Sequence, residues 1–262
     1  MMEVRLIVCG SADAAAEAAA ATFAQVAVQA VAERGRFLSA LSGGQTPRAL
    51  YTLLADPRLA PPVAWERTHL FFVDERCVPP TDKRSNYGAV QDTGLLHRPL
   101  AGVYRMEGER PPPEAAAAYE AIMYRMVSES ADERCAVPQL DLVILGVGAD
   151  GHTASLFPGS DATREGQRLV LATTSPDGLE RVTLTFPVLW AARHTLLLVT
   201  GGGKATVVEQ VLSAAGEGHG GQGPPAARAI AGARAATVLL DREAASLLSK
   251  DALEAAGVCG LQ

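Results

Sequence analysis

Short continuous apolar runs alternate with longer amphipathic or alanine-rich stretches along most of the chain. Leu6-Ile7-Val8-Cys9 predicts a buried strand. Ser11 then opens an alanine-rich stretch to about Arg34, with Asp13 and Glu17 near its start. A capping serine and early acids predict a long helix there. Phe37-Leu38-Ser39-Ala40-Leu41 predicts a second strand, which runs into Ser42-Gly43-Gly44-Gln45-Thr46-Pro47. Thr46 as cap and Pro47 as first residue predict a helix through Leu54. His69-Leu70-Phe71-Phe72-Val73 predicts a third strand, followed by the charged Asp74-Glu75-Arg76 and a polar loop to about Ser85.

Asn86 to Leu96 is expected to be helical, and Glu114 to Ser130 predicts a helix after the break at Pro111-Pro112-Pro113. Leu140 to Leu145 is the clearest buried strand, and it enters Gly146-Val147-Gly148-Ala149-Asp150-Gly151-His152. Arg168 to Thr173 and Arg181 to Thr185 predict strands in a less regular region. Thr195 to Thr200 predicts another buried strand, ending in Gly201-Gly202-Gly203-Lys204 and a helix to about Ala215. Gly216 to Pro225 predicts a mobile loop. Thr237 to Leu240 predicts a last strand, with Asp241 capping a final helix. The alternation implies an α/β fold: a Rossmann-like, mostly parallel sheet with helices on both faces and a small annex, in a single domain over 1–262.

The chain of 262 residues is 48% hydrophobic and 20% charged, which excludes a disordered chain. Its net charge of −6 provides no global field for nucleic acid or an anionic membrane. A locally positive pocket for a small anion remains compatible with that charge. Cys9, Cys77, Cys135 and Cys259 form no C-x-x-C pair and no disulfide framework. The start, Met1-Met2-Glu3-Val4-Arg5, does not read as a signal peptide, and no span resembles a transmembrane helix. A cytoplasmic protein is expected, as a monomer, with a weak dimer as the alternative.

Ligands of such sheets bind beyond the carboxyl ends of the strands. Unusual residues stand at four of those ends: Ser42-Gly43-Gly44, Asp74-Glu75-Arg76, Gly146 to His152, and Gly201 to Lys204. The first is a glycine turn feeding a helix, which is either an anion site or an ordinary turn. Gly146 to Gly151 matches G-x-G-x-x-G, but it lies past mid-chain. Glu165, the one acid at roughly the required distance, precedes a strand, so a nicotinamide or flavin site is disfavoured. Gly201 to Lys204 fails the Walker pattern, since Leu198 and Ala205 stand at its other positions. Lys204 can still hold a phosphate as a point charge. The five histidines lack zinc-helix spacing and no His-Cys cluster exists, so no metal is expected. No G-x-S-x-G occurs, which leaves direct activation of water as the route for an ester hydrolase. His152, beside Asp150 in a glycine-rich turn, is the candidate base.

Leu41 to Pro47, Val73 to Arg76, Arg84-Ser85-Asn86-Tyr87, Gly146 to Pro158 and Gly201 to Lys204 together resemble the 6-phosphogluconolactonase family, in the family's order and over nearly the whole chain. Glucosamine-6-phosphate deaminase/isomerase shares the D-G-H turn, but Ser155-Leu156-Phe157-Pro158 and Arg76 side with the lactonase. The resemblance implies hydrolysis of 6-phospho-D-glucono-1,5-lactone to 6-phospho-D-gluconate without metal or organic cofactor. It implies His152 as base and phosphate binding by Ser42, Gly43, Gly44, Thr46, Arg84 and Lys204. Arg76 or loop amides would stabilise the oxyanion, and Asp74 and Asp150 would assist, in an order the sequence leaves open. The alternatives are the deaminase/isomerase and a non-catalytic sugar-phosphate sensor. The partner expected is a sugar-phosphate lactone, with no nucleic acid and no membrane.

Overall fold

The computed structural model describes residues 3–128, 137–216 and 223–258. Among them, eight strands form one parallel sheet. In chain order these are β1 (Glu3–Cys9), β2 (Phe37–Leu41), β3 (Thr68–Phe72), β5 (Gly102–Val103), β6 (Leu142–Leu145), β9 (His194–Val199), β10 (Ala235–Asp241) and β11 (Gly257–Val258). Across the sheet the order is β11-β1-β10-β9-β6-β2-β3-β5. A second, antiparallel sheet holds β4 (Asp74–Arg76), β8 (Glu180–Leu184) and β7 (Val170–Thr174) in that order. This is the annex. Asp74-Glu75-Arg76, expected as the end of the third strand, is an edge strand of this second sheet, because its main chain finds partners on β8.

The main sheet is buried on both faces, and its side chains alternate between two cores. Phe37, Leu41, Leu142, Ile144, Leu196 and Leu198 face one core, with Phe23 of helix α1 (Ala12–Arg34) and Leu50 of α2 (Gln45–Ala55). Leu38, Ala40, Val143, Leu145, Leu197 and Val199 face the other. There they meet Tyr119 of α4 (Pro112–Ser128), Val188 of α5 (Phe186–Ala191), Val208 of α6 (Ala205–Gly216) and Ile230 of α7 (Pro225–Ala231). A period of two with both phases apolar is the pattern of a doubly covered parallel sheet. By length and composition α1 would suffice to cross a membrane, contrary to the sequence expectation. Ala15, Ala19, Phe23, Ala27 and Ala30 are instead buried against the sheet, and that packing accounts for its apolar character.

Ser11 caps α1 as expected, accepting from the Ala14 N–H at 3.2 Å. Thr46 does not cap α2: that helix begins at Gln45, after Gly44 at φ 107°. A conformation open to glycine turns the chain without a side-chain cap. The helix α3 (Asn86–Gln91) is shorter than expected, and Gly94 at φ 84° separates it from a 3-10 turn at Leu95–His97. Asp241 accepts from Ala244 N–H (2.8 Å) and Gly201 N–H (3.0 Å) and so ties two loops together. The last helix, α8 (Lys250–Ala255), is capped by Ser249 instead. The glycine-rich 217–222 lies outside the described residues, and Pro225, expected in that loop, opens α7.

Asp141 anchors the start of β6. Its carboxylate accepts from Leu38 N–H (2.8 Å) and Arg34 Nε (3.0 Å), and Arg193 Nε lies at 3.5 Å. Burial pushes its pKa up. Asp141→Ala strands a buried main-chain donor and two guanidiniums, and is expected to cost about 2–3 kcal/mol in chemical denaturation.

Candidate functional site

The carboxyl ends of β2, β6 and β9 open into a cleft of about 460 Å³. Ser42, Gly43, Gly44 and Thr46 line it after β2. Gly146, Gly148 and His152 line it after β6, and Lys204 after β9. Asp74 and Arg76 close one wall. The convergence expected at the four strand ends is therefore present.

His152 stands on a turn held by main-chain bonds. Gly148 N–H donates to the His152 carbonyl at 2.8 Å, and Gly151 N–H to the Gly148 carbonyl at 3.0 Å. The imidazole Nδ1 is 2.5 Å from Asp150 Oδ1, and the ring packs on Phe157 with centroids 4.8 Å apart. Burial pushes the Asp150 pKa up, but hydrogen bonds from the His152 main chain and ring outweigh it, and the net direction is down. Asp150 is thus a carboxylate that accepts from Nδ1. The proton then sits on Nδ1 in the neutral ring, and Nε2 is left as the basic nitrogen. Of the two aspartates left open by the sequence, Asp150 is the one that touches the histidine.

Asp74 has a different place. It is 6% exposed, and its carboxylate accepts from Asn86 Nδ2 (3.0 Å) and Ser155 Oγ (2.7 Å). It makes no bond to Arg76. Glu75, passed over in the sequence, is 2% exposed and accepts four bonds: from Arg76 N–H (2.8 Å), Asn86 N–H (2.6 Å), Tyr87 N–H (2.8 Å) and Ser85 Oγ (3.0 Å). Burial nonetheless pushes its pKa up. It holds the segment 84–87 against β4. Ala154, which lines the cleft, is the one non-glycine at positive φ among the described residues, at 50°.

Three cations line the cleft: Arg76, Arg181 and Lys204. Lys204 Nζ donates to the Val147 carbonyl at 3.0 Å, spanning from the loop after β9 to the loop after β6. Arg76 donates through Nη1 to the Arg84 carbonyl. Arg181 was missed by sequence reasoning. It pairs directly with Arg76 across the antiparallel β4–β8 ladder. Burial, then the charge of Arg76, push its pKa down. Like charges placed opposite each other in a sheet are unfavourable, so the pair creates a demand for an anion. The sequence signal was a lone arginine leading an apolar strand, which is uninformative until the register is known.

Arg84 is corrected. It does not line the cleft; its guanidinium forms a two-pronged pair with Asp82, with Nη2 to Oδ2 at 2.8 Å, and its side chain is 57% exposed. The neighbouring acid, two residues earlier, captures it first. The residues of 84–87 that reach the cleft are represented by Asn86. Among the described residues no group of three or more histidines, cysteines or acids converges as a metal centre.

The chain's likenesses agree with this geometry. The family profile described as glucosamine-6-phosphate isomerases/6-phosphogluconolactonase matches residues 10–239. A rice protein named probable 6-phosphogluconolactonase 3, chloroplastic (Oryza sativa subsp. indica) is 39% identical over 206 residues. That match covers 76% of this chain and 62% of the relative, so the chain spans about three fifths of the rice protein's length. The 6-phosphogluconolactonase of Aggregatibacter actinomycetemcomitans is 34% identical, over 79% of this chain and 86% of that one. The solved structure of 6-phosphogluconolactonase from Trypanosoma brucei superposes with a TM-score of 0.79 at 27% identity, covering 95% of this chain and all of that one. With a profile running from the end of β1 into β10 and a solved fold matched along nearly its whole length, the chain belongs to the glucosamine-6-phosphate isomerase/6-phosphogluconolactonase family.

Proposed function

We propose that this chain hydrolyses 6-phospho-D-glucono-1,5-lactone to 6-phospho-D-gluconate, the second step of the oxidative pentose phosphate pathway. The observation that carries the proposal is a histidine, paired with an aspartate, that lines a cleft also holding a glycine turn and three cations. His152 Nε2 takes a proton from a water whose oxygen attacks the lactone carbonyl. Asp150 holds Nδ1 and stabilises the imidazolium. The ring C–O bond then breaks, and the leaving oxygen takes the proton back as the new hydroxyl. The glycine turn at Ser42, Gly43 and Gly44, with Thr46 and Lys204, holds the phosphate through main-chain amides and a point charge. Arg76 and Arg181 face the developing oxyanion and the product carboxylate. No metal or organic cofactor enters this scheme.

The relatives carry chloroplastic and endoplasmic names, so they do not share one compartment. The cytoplasmic location and monomeric state expected from the sequence are retained within the proposal. Freshly prepared lactone, assayed with correction for its spontaneous opening, tests the reaction. Acceleration supports it. Release of ammonia from glucosamine 6-phosphate in place of lactone hydrolysis would sink it and favour the isomerase branch.

The arginine assignment is tested separately. Arg181→Ala removes a charge-assisted contact inside the cleft and is expected to lower kcat/KM by about ten- to a hundredfold. Arg84→Ala, at a residue that does not line the cleft and is paired with Asp82, is expected to stay within about threefold of the parent, as for an exposed ion pair. The opposite ranking in steady-state kinetics would restore Arg84 as a substrate ligand.

A further inference from the structure

Among the described residues, Ser42 Oγ, Arg76 Nε, Asn86 Oδ1 and Arg181 Nε are buried without a hydrogen-bond partner, and all four belong to cleft residues. Asn86 is the most constrained of these. Its Nδ2 donates to the Asp74 carbonyl (2.9 Å) and to Asp74 Oδ1 (3.0 Å). Both partners are acceptors, which fixes the orientation of the amide. Oδ1 therefore faces Gly43: a Cβ built there would lie 1.8 Å from Oδ1 and 2.3 Å from Cγ. The other Asp74 oxygen accepts from Ser155 Oγ at 2.7 Å, and Ser155 N–H donates to Thr183 Oγ1 at 3.1 Å. A buried chain of contacts thus runs Ser155–Asp74–Asn86–Gly43. It joins the segment that carries His152 to the glycine turn after β2.

We propose that this chain is the strut that sets the spacing between the His152 turn and the glycine turn, with Asn86 as the positioning residue against which Gly43 rests. The inference rests on the lactonase reading, in which the two turns hold opposite ends of one substrate. A sugar phosphate keeps its carbonyl and its phosphate a few bonds apart, so the loops that grip them must keep register. Four independent loop ends have no such register unless something rigid spans them, and buried, hydrogen-bonded side chains supply that rigidity. Asn86 touches neither reacting atom in this scheme; it acts through Gly43 and Asp74.

The test is suppression. Gly43→Ala drives a Cβ into Asn86 Oδ1 and is expected to lower kcat/KM on the lactone by about 10²-fold, the scale of an ångström-sized displacement. Adding Asn86→Ala removes the obstructing atom, and the double variant is expected to recover about tenfold over Gly43→Ala alone. Asn86→Asp keeps size and shape but sets a carboxylate oxygen against two acceptors of Asp74. It is expected to lose kcat/KM as Asn86→Ala does, with melting temperatures confirming that each variant folds. A double variant no better than Gly43→Ala overturns the strut, as do Asn86→Ala and Asn86→Asp both within twofold of the parent. A parent inactive on the lactone would overturn the underlying reading instead, which keeps the two failures distinguishable.

Discussion

His152→Asn is expected to lower kcat by about 10²–10⁴-fold, the range for a positioned acid–base group, while KM changes little. The substitution leaves the turn intact, because the bonds that shape it join main-chain atoms: Gly148 N–H to the residue 152 carbonyl and Gly151 N–H to the Gly148 carbonyl. It also leaves Lys204 and the glycine turn in place, so substrate still binds. What disappears is a ring nitrogen able to accept a proton. Any acid limb of the parent's pH profile that depends on the imidazole is expected to vanish in His152→Asn. Asp150 does not supply it, since its hydrogen bonds from His152 hold its pKa below the usual carboxylate value. A purely structural histidine would give the opposite result: substantial residual activity in the Asn variant with the acid limb preserved. The pH profile of kcat/KM, with melting temperature as the control for folding, separates the two.

Gly148→Ala is expected to be nearly as damaging, by a different route. A Cβ at residue 148 would sit 2.1 Å from both Cε1 and Nδ1 of His152 and 2.7 Å from Asp150 Oδ1. Side-chain carbons do not tolerate such approaches, so the imidazole must swing away and release its 2.5 Å bond to Asp150. A misplacement on this scale costs about 10²-fold or more in rate. Gly148 does not occupy positive φ, so the substitution carries no backbone penalty of its own and stability should hold within about 1 kcal/mol. Because both lesions act on one group, Gly148→Ala combined with His152→Asn is expected to be little worse than His152→Asn alone. Retention of more than a tenth of the parental kcat in folded Gly148→Ala would show that the ring position is not critical.

Much of the fold was legible because its elements are local. Phe37–Leu41 was placed to the residue, and α1 was bounded correctly by its cap Ser11 and its end at Arg34, since capping and apolar runs act over a few neighbours. The errors fell where a distant partner decided. Asp74-Glu75-Arg76 looks like the end of the third strand until β8 pairs with it. Thr46 has the chemistry of a cap, but the positive φ of Gly44 starts the helix two residues earlier. Asp241 also has that chemistry, and it is spent on a turn and on Gly201 of the neighbouring loop.

The same division runs through the site. From the residues alone, the order of motifs and the placing of Asp150 and His152 in one turn were determined; which aspartate serves the histidine was left open, and the 2.5 Å contact of Asp150 with Nδ1 decided it. The roles of the other charges were decided only in three dimensions. Arg84 was named for its neighbours in the chain, yet Asp82 holds it outside the cleft. Arg181 carried no local signal, yet sheet register sets it opposite Arg76 on the cleft wall. Asp74 was expected to assist the chemistry in a role left open, and its bonds to Asn86 and Ser155 set where its carboxylate stands in the cleft wall. Motifs report which chemical groups a chain possesses; the direction in which Asp74 points depends on partners 12 and 81 residues away, and only packing brings those together.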